Sequence, residues 1–262
     1  MSALLLDKHP DGVAILTLNR PDIHNAFDDA VITDMIAALD DLNVDNNVRV
    51  VVLSANGESF SAGADLNWMR RMATYTEKEN LRDASILATL MRTLNNLSKP
   101  TIARIHGSAY GGGVGLVACC DIAIASVHTT FALSETRLGL IPAVISPYVI
   151  AAIGERMARR YFLTAERFDA DEAHHIGLIH QVEPDEITLD KAIDKIVTSL
   201  LAASPAAQRE AKKLIGAVVN RTIDDALILD TVERIARARV SAEGREGIAA
   251  FLEKRSPTWI KP

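Results

Sequence analysis

The hydrophobic positions in the first half of the chain change repeatedly between the period of a strand and the period of a helix. Residues 4–6 and 13–18 are strand-like and flank the turn residues 9–12, which predicts a hairpin. Apolar side chains recur at helical spacing over residues 31–39, and residues 48–53 form a short β-branched run typical of a buried strand.

The same order of elements returns further along the chain. We predict a helix over residues 77–97, a strand over 101–105, an apolar helix over 114–119 and a strand over 121–125. Alternating strands and helices are typical of an α/β fold with mostly parallel strands.

The pattern changes after about residue 177, where strand signals become rare. Four amphipathic helices are predicted in this part of the chain, over residues 187–203, 205–219, 223–240 and 244–254. We therefore predict an α/β core over residues 1–186 and a helical region over residues 187–262. No linker rich in Pro, Gly or Ser separates them, so the helices are expected to pack on the core or on a neighbouring subunit.

Composition and charge narrow the class of protein. Of the 262 residues, 48% are hydrophobic and 24% are charged, which excludes a mostly disordered or fibrous chain. The 28 basic and 34 acidic residues give a net charge of −6. This balance offers no overall attraction to nucleic acid or to an anionic membrane.

The two cysteines, Cys119 and Cys120, are adjacent in an apolar run and are expected to be core residues. Neighbouring cysteines cannot form an ordinary structural disulfide, which favours a reducing compartment. The first residues lack the basic region and apolar core of a secretory signal, and no apolar run reaches the roughly 18 residues of a membrane span. We expect a cytoplasmic enzyme.

Residues 57–66 form the first of three segments with candidate chemistry. They follow a predicted strand, are rich in small residues and lead into a helical pattern. The backbone can approach a ligand closely here, and the first N–H groups of a helix lack intrahelical acceptors, so the turn can bind a developing oxyanion. A simple turn in which Asp65 caps the helix explains the same pattern.

The second segment, residues 107–115, places glycines between a strand and an apolar helix. It contains neither the G-x-G-x-x-G spacing nor a phosphate loop, which argues against nucleotide binding by those routes. What remains is a helix N-terminus that can stabilise negative charge, or glycines that only permit close helix packing.

The third segment, residues 131–142, is apolar apart from a few positions that include Glu135. Burial of a carboxyl group raises its pKa toward the range useful for proton transfer. As an alternative, Arg137 lies on the same face of a predicted strand and can form a plain ion pair with Glu135. In combination, the three segments can polarise a carbonyl, stabilise an enolate and move a proton at the adjacent carbon.

Motifs along nearly the whole chain resemble the enoyl-CoA hydratase/isomerase, or crotonase, superfamily. They are residues 18–21 with 25–26, 60–66, 111–113 with 120–122, Glu135 with 138–142, and 246–247 with 251 and 253–255. The resemblance implies an α/β spiral of ββα turns, with the active site in the core and a C-terminal helical trimerisation region. It also implies a homotrimer or a dimer of trimers.

The same resemblance implies roles for particular residues. The N–H groups of Ala64 and Gly112 form an oxyanion hole for the thioester carbonyl, and Glu135 matches the second catalytic glutamate of the hydratases. Residues expected to contact the CoA part of the substrate are His24, Ala62, Asp65, Leu66 and Lys254. Lys254 is expected to reach CoA phosphate, either in its own subunit or in a neighbouring one. No metal or separate cofactor is expected, because CoA enters as part of the thioester substrate.

One position departs from the family pattern. The first catalytic glutamate of two-glutamate hydratases lies two residues after the last glycine of the triplet, where this chain has Gly115. Either Glu135 alone activates water and returns the proton, or the reaction is a double-bond shift that needs one proton shuttle. Tyr110 is a candidate for orienting water in place of the missing carboxylate.

A narrower resemblance concerns residues 61–69, 141–149 and 152–161, which look like bacterial methylglutaconyl-CoA and carboxygeranoyl-CoA hydratases of leucine and terpenoid breakdown. Residues 143–146 replace a glycine-rich stretch and are expected to reshape the acyl pocket. We therefore predict a hydratase of a branched, carboxylated enoyl-CoA. Side chains that can meet the distal carboxylate are Arg70, Arg71 and Arg137.

The remaining readings are an isomerase and a non-catalytic acyl-CoA-binding or RNA-binding protein on the same fold. The net negative charge and the lack of an aromatic–basic stripe argue against a primary role on RNA. His106 and the pair His174 and His175 lack the spacing of a metal site and are expected to be structural or at the surface.

Overall fold

The computed structural model describes residues 2–260, which fold into two sheets with helices around them. The strands are β1 (Leu4–Lys8), β2 (Val13–Leu18), β3 (Val50–Ala55), β4 (Ser59–Ser61), β5 (Thr101–Ile105), β6 (Ser108–Tyr110), β7 (Ile122–Ser126), β8 (Thr130–Ala132), β9 (Phe168–Asp169) and β10 (Gln181–Glu183). The helices are α1 (Asp29–Val44), α2 (Leu66–Met72), α3 (Glu77–Asn95), α4 (Gly112–Cys119), α5 (Ser146–Thr164), α6 (Ala170–His175), α7 (Glu186–Ala202), α8 (Pro205–Val218), α9 (Asp225–Val240) and α10 (Ala242–Leu252).

The larger sheet has the strand order β1-β2-β3-β5-β7-β10. Strand β1 pairs antiparallel with β2, whereas the pairs from β2 through to β10 are parallel. The predicted N-terminal hairpin and the predicted parallel α/β arrangement are therefore confirmed. The smaller sheet has the order β4-β6-β8-β9.

Successive strands alternate between the two sheets in a regular way. Strands β3, β5 and β7 of the larger sheet are each followed by a short strand of the smaller sheet, respectively β4, β6 and β8, and then by helical structure. The core is thus a spiral of three ββα turns, which confirms the expected fold class. Strands β4, β6 and β8 have three residues each, too few to show a period in the sequence.

Helix α1 shows how the sequence sets an element of this core. The Asp28 side chain caps it by accepting a hydrogen bond from the Val31 N–H. Its apolar positions Ile32, Met35 and Leu39 are fully buried. They belong to the large hydrophobic cluster between the sheets and the helices that pack on them. Helix α1 packs on α3, so the two helices close one side of the spiral.

Helix α7 covers part of the larger sheet. Its Leu189 and Ile193 are buried in a second cluster with Val50, Val52 and Ile102 of the sheet. The packing of this helix on the core agrees with one of the two placements expected from the sequence. The division of the chain at residue 186 stays a prediction.

Lysine and arginine side chains connect the region of helices α8–α10 to the core through hydrogen bonds and an ion pair. Lys212 Nζ on α8 contacts Asp121 Oδ2 at 2.7 Å and donates to the Lys99 carbonyl at 3.1 Å. The Arg49 guanidinium donates to the carbonyls of Ala203 and Trp259.

The same helical region leaves a large apolar surface open. Exposed side chains on or beside α8–α10 are Ile215, Val219, Ile223, Ile228, Leu229, Val232, Ile235, Val240, Ile248, Phe251 and Leu252. In α9, Ile228, Val232 and Ile235 recur at helical spacing, so they form one stripe. Such a surface is typical of a contact with another protein chain.

Two further expectations concern the chain as a whole. Cys119 and Cys120 are both free and buried, which confirms that they are core residues. No helix within residues 2–260 is long and apolar enough to cross a membrane.

Candidate active site

The first candidate turn leaves a backbone N–H group unused. Phe27 N donates to the Gly63 carbonyl at 2.8 Å, and Asp65 N donates to the Phe27 carbonyl at 3.0 Å. This parallel pairing of Phe27 with Ala64 directs the Ala64 N–H away from Phe27. Within the described residues the Ala64 N–H has no hydrogen-bond acceptor. Asp65 caps α2, as the simpler interpretation of this turn predicted.

The second candidate turn joins β6 to α4. Gly111 has a φ of 49°, which favours glycine, and its N–H donates to the Ala132 carbonyl at 2.9 Å. Gly112 is the first residue of α4. Its N–H also lacks an acceptor among residues 2–260, as expected at a helix N-terminus.

The two turns pack directly against each other. A Cβ atom on Gly63 would lie 2.7 Å from the Tyr110 carbonyl oxygen and 3.3 Å from Gly112 N. A Cβ atom on Gly113 would lie 2.6 Å from the Ser61 carbonyl oxygen. Both interpretations of the glycines therefore hold, because they permit close packing and the same packing brings two free N–H groups into one region.

Glu135 begins a 3-10 helix, Glu135–Leu138, so the prediction that it lies in a strand is wrong. Strand β8 ends at Ala132, and Gly139 with a φ of 71° closes the helical turn. Arg137 is consequently not on the same face as Glu135. It is exposed and, within the described residues, forms no ion pair with Glu135, so that structural alternative is also wrong.

The Glu135 carboxylate points at the second turn. A Cβ atom on Gly111 would lie 3.1 Å from Glu135 Oε1, and Glu135 Oε2 is buried with no hydrogen-bond partner in the described structure. Burial raises the pKa of Glu135 above its ordinary value, with partial opposition from its own backbone N–H. A carboxyl group of this kind is suited to exchange protons with a bound molecule.

The free N–H groups and the carboxylate line one cavity of about 600 Å³. Its lining comprises Phe27, Ala64, Trp68, Met72, Asn80, Asp83, Ala84, Leu87, Gly112, Glu135 and residues 139–145. Two N–H donors beside a carboxylate can hold a carbonyl oxygen as it gains negative charge and move a proton at a neighbouring carbon. The cavity is otherwise largely apolar, which suits an acyl chain.

Ile145 occupies the space into which a side chain at Gly115 would point. A Cβ atom on Gly115 would lie 2.2 Å from Ile145 Cγ2 and 2.9 Å from Ile145 Cβ. No side chain at position 115 fits unless Ile145 moves. Residues 143–145 do line the cavity, as expected for the segment that replaces a glycine-rich stretch.

The residues expected to contact CoA divide into two groups. Ala62 N donates to the His24 carbonyl at 2.8 Å, and Asp65 and Leu66 follow in the same turn, so four of the five lie together beside the first N–H group. Lys254 follows α10, which contacts α8 and α9, and it does not line the cavity. The Asp65 carboxylate is occupied by the α2 cap and by Arg20 Nη2 at 3.3 Å.

The arginines considered for a distal carboxylate do not reach the cavity in this chain. Arg71 forms an ion pair with Asp29 at 2.5 Å, Arg70 donates to Asn67, and Arg137 is exposed. The lining residues among 2–260 include no lysine or arginine.

Asp83 is a cavity residue that sequence reasoning missed. Its Oδ1 accepts a hydrogen bond from Trp68 Nε1 at 3.0 Å, and burial raises the pKa of its carboxyl group. A signal was available, since Asn80, Asp83, Ala84 and Leu87 follow the i, i+3, i+4, i+7 spacing of one face of α3. An acidic residue on such a helix face indicates a polar group within an otherwise apolar cavity lining.

Other polar candidates have local structural roles. The Tyr110 hydroxyl bonds Thr130 Oγ1 at 2.8 Å, and Tyr110 does not line the cavity, so the proposal that it orients water is wrong. His106 Nε2 bonds the Gly57 carbonyl oxygen at 2.6 Å, whereas His174 and His175 are exposed on α6.

Comparison with known proteins identifies the family. A family model described as enoyl-CoA hydratase/isomerase matches residues 8–262. The chain therefore belongs to the enoyl-CoA hydratase/isomerase family. This membership confirms the resemblance inferred from the motifs and the expectation of an enzyme.

Similar proteins include both hydratases and an isomerase. The crystal structure of an enoyl-CoA hydratase from Shewanella pealeana matches with a TM-score of 0.95 and 48% identity, covering 98% of this chain and 96% of that one. The 2,3-dehydroadipyl-CoA hydratase of Escherichia coli is 31% identical over 258 residues, 98% of each chain. The mitochondrial Delta(3,5)-Delta(2,4)-dienoyl-CoA isomerase of Dictyostelium discoideum is 31% identical over 254 residues, 94% of this chain and 86% of its own length.

Proposed function

We propose that this protein is an enoyl-CoA hydratase that adds water across the α,β double bond with Glu135 as its acid–base group. The observation that carries the proposal is the position of the Glu135 carboxylate. It lies against the turn that holds the free Gly112 N–H, has no counter-ion among the described residues, and shares its cavity with Ala64.

The proposed reaction balances with one carboxylate. The thioester carbonyl oxygen accepts hydrogen bonds from the Ala64 and Gly112 N–H groups, which favours negative charge on that oxygen. Glu135 takes a proton from water as the water oxygen bonds to the β-carbon, and the double-bond electrons move to form the enolate. Protonated Glu135 then gives the proton to the α-carbon, which restores the carbonyl and the carboxylate.

A double-bond isomerase is the second candidate. Gly115 carries no carboxylate, and a shift of a β,γ double bond needs only that Glu135 remove a proton from one carbon and return it to another. Similarity to a dienoyl-CoA isomerase supports keeping this reaction as a test outcome.

For the acyl group we propose a short, branched chain of the methylglutaconyl-CoA type, as in leucine degradation. Val144 and Ile145 form an apolar part of the cavity wall, which supports the proposal of a branched acyl chain. The cavity lining contains Asp83 and Glu135 but no basic side chain among residues 2–260 that could pair with the distal carboxylate. A neighbouring subunit would have to supply the cation.

We further propose that the protein acts as a homotrimer or a dimer of trimers in the cytoplasm. The exposed apolar stripe of α9 and its surroundings support an assembly through the helical region. Lys254 would then reach CoA phosphate in a neighbouring subunit, and the turn around His24, Ala62, Asp65 and Leu66 would contact the rest of CoA. Light scattering on the purified protein tests the mass of the assembly.

The experiment for the reaction follows purified enzyme with a panel of CoA thioesters in deuterated water. The panel contains crotonyl-CoA, 3-methylcrotonyl-CoA, 3-methylglutaconyl-CoA and a β,γ-unsaturated thioester. We expect hydration with deuterium at the α-carbon, and a loss of kcat of about 10²–10⁴-fold in Glu135→Gln. Migration of the double bond without hydration would establish the isomerase instead.

A matched control is Glu155→Gln, which removes the same charge from an exposed position on α5 outside the cavity. It should retain normal turnover. Unchanged activity in Glu135→Gln would overturn the assignment of the proton-transfer group. Tight thioester binding with no turnover of any panel member would support the non-catalytic binding protein.

A further inference from the structure

Ile145 and Gly115 occupy one space that can hold only one side chain. We infer that Ile145 is the specificity-determining residue of the acyl cavity: it fills the volume of a carboxylate side chain at position 115 and packs against an alkyl branch at the substrate β-carbon. The inference rests on the proposed hydratase function and names the substrate class of that site.

The contact between the two residues leaves little freedom. The nearest Ile145 atoms to a Cβ on Gly115 are Cγ2 and Cβ, which stand next to the Ile145 backbone, and Met91 Cε follows at 3.3 Å. Because isoleucine is branched at Cβ, its first side-chain torsion is stiff and the methyl group cannot simply rotate away. Ile145 is 3% exposed and belongs to the main hydrophobic cluster.

The Ile145 backbone is fixed as well. Its carbonyl accepts hydrogen bonds from Tyr148 N and Val149 N, both at 3.1 Å, at the first turn of α5. A side chain held by this turn and by the core is a firm wall of the cavity. A carboxylate at position 115 would require both its own volume and displacement of that wall.

The Ile145 side chain lies closer to the expected position of the substrate β-carbon than to that of the thioester group. Gly115 is three residues beyond Gly112 on α4, about 4.5 Å further along the helix axis. The carbonyl oxygen binds at Gly112, and the β-carbon lies two bonds from the carbonyl carbon. Ile145 lines the same cavity as Gly112 and Glu135. In the proposed complex its branched side chain therefore lies beside substituents of the β-carbon.

The chemical consequence is that this site favours substrates with an alkyl group on the β-carbon. A hydratase with two catalytic carboxylates would have a charged side chain at the same place. An apolar wall gains contact with a β-methyl group and offers nothing to a linear chain at that point. Methyl-group discrimination in an apolar pocket is worth about 10–200-fold in kcat/KM.

The test compares kcat/KM for 3-methylcrotonyl-CoA and crotonyl-CoA, which differ only by the β-methyl group. We define the substrate ratio as kcat/KM for 3-methylcrotonyl-CoA divided by kcat/KM for crotonyl-CoA. We expect this ratio to be higher in the wild type than in Ile145→Ala, by about tenfold or more. Ile145→Val retains Cγ2 and should keep most of the preference. Ile145→Leu has the same volume but lacks the branch at Cβ, so it separates shape from size and should lose the preference.

A second measurement tests the shared space without relying on activity. Gly115→Ala should lower the thermal midpoint in the wild-type background, and the same substitution should cost less in the Ile145→Ala background. An equal loss in both backgrounds would show that the two positions do not compete for space.

The outcomes separate the two proposals. Hydration with an unchanged substrate ratio in Ile145→Ala would overturn the role of Ile145 and leave the hydratase proposal intact. Absence of hydration with every thioester would overturn the hydratase proposal, and the thermal comparison would still test the packing of Gly115 on Ile145.

Discussion

The two sides of the active-site cavity are built in opposite ways. On one side, the turns at residues 62–65 and 110–113 pack so closely that added Cβ atoms on Gly63 and Gly113 would clash with backbone oxygen atoms. On the other side, side chains of α3 and of the segment at residues 139–145 line the cavity, and Leu140 and Ile141 are 53% and 73% exposed.

This difference separates what fixes the chemistry from what selects the substrate. Every non-proline residue carries an N–H group, so the donors at Ala64 and Gly112 do not depend on side-chain chemistry. They depend only on backbone positions that glycine packing holds in place. The opposite side uses side chains such as Ile145 and Asp83, which a single substitution can change without moving the donors.

Among substitutions that test the difference between the two sides, the largest expected effect is on the tightly packed side. Gly63→Ala places a Cβ 2.7 Å from the Tyr110 carbonyl oxygen, which should push the two N–H donors apart. Loss of one such donor lowers kcat by about 10²–10³-fold, and we expect a loss in this range with the thioester panel.

Gly139→Ala is the matched control from the opposite side of the cavity. Both glycines have positive φ, 83° and 71°, so both substitutions carry a similar backbone strain of about 1–3 kcal/mol. A Cβ on Gly139 meets no atom within 4 Å. Equal losses of kcat in the two variants would mean that backbone strain, and not the contact between the turns, controls the donors.

The next effect is a pH dependence centred on Glu135. Because burial raises the pKa of Glu135, the ionised form that accepts a proton from water is lost at a pH above the ordinary glutamate range. The acid limb of kcat/KM should therefore fall through this raised pKa. A limb at the ordinary glutamate value would contradict the role of burial.

As the pH rises, the free energy of unfolding should fall while kcat/KM rises. A carboxyl group with a raised folded-state pKa binds more protons in the folded than in the unfolded protein, so the free energy of unfolding falls as pH rises through that window. Glu135→Gln should hence unfold at a higher temperature than the wild type at neutral pH. This advantage should shrink as the pH is lowered through the raised pKa of Glu135.

The smallest expected effect concerns Asp83 on the side-chain side of the cavity. Asp83→Asn keeps an oxygen acceptor for Trp68 Nε1 and removes the charge. We expect kcat/KM for 3-methylglutaconyl-CoA relative to 3-methylcrotonyl-CoA to rise roughly fivefold, because a charge repulsion of about 1 kcal/mol is removed. Glu77→Gln, an exposed substitution at the start of α3, should leave this ratio unchanged.

Much of the fold follows from periodicity. The hairpin and the C-terminal helices agree with the expected bounds within a few residues. The short strands β4, β6 and β8 were missed because three residues do not complete a pattern, and β10 was missed in a region where helical signals dominate.

The site was predicted less evenly. Glycine-rich turns at helix starts indicated free N–H groups at Ala64 and Gly112, and an acidic residue in an apolar stretch indicated Glu135. The spacing that puts Asp83 on one face of α3 was present in the sequence, but the contacts of Ile145 with Gly115 and of Asp83 with Trp68 join residues that are distant in the sequence. Local patterns do not encode such contacts.

The spiral distributes the active site over successive turns of the chain. The turn containing β3 and β4 contributes Ala64, the turn containing β5 and β6 contributes Gly112, and the turn containing β7 and β8 leads to Glu135 and Ile145. The acid–base group therefore belongs to a different unit from either oxyanion donor. A change of the acid–base group or of the acyl-pocket wall is thus open to evolution through the third turn, while the oxyanion donors of the first two turns stay in place.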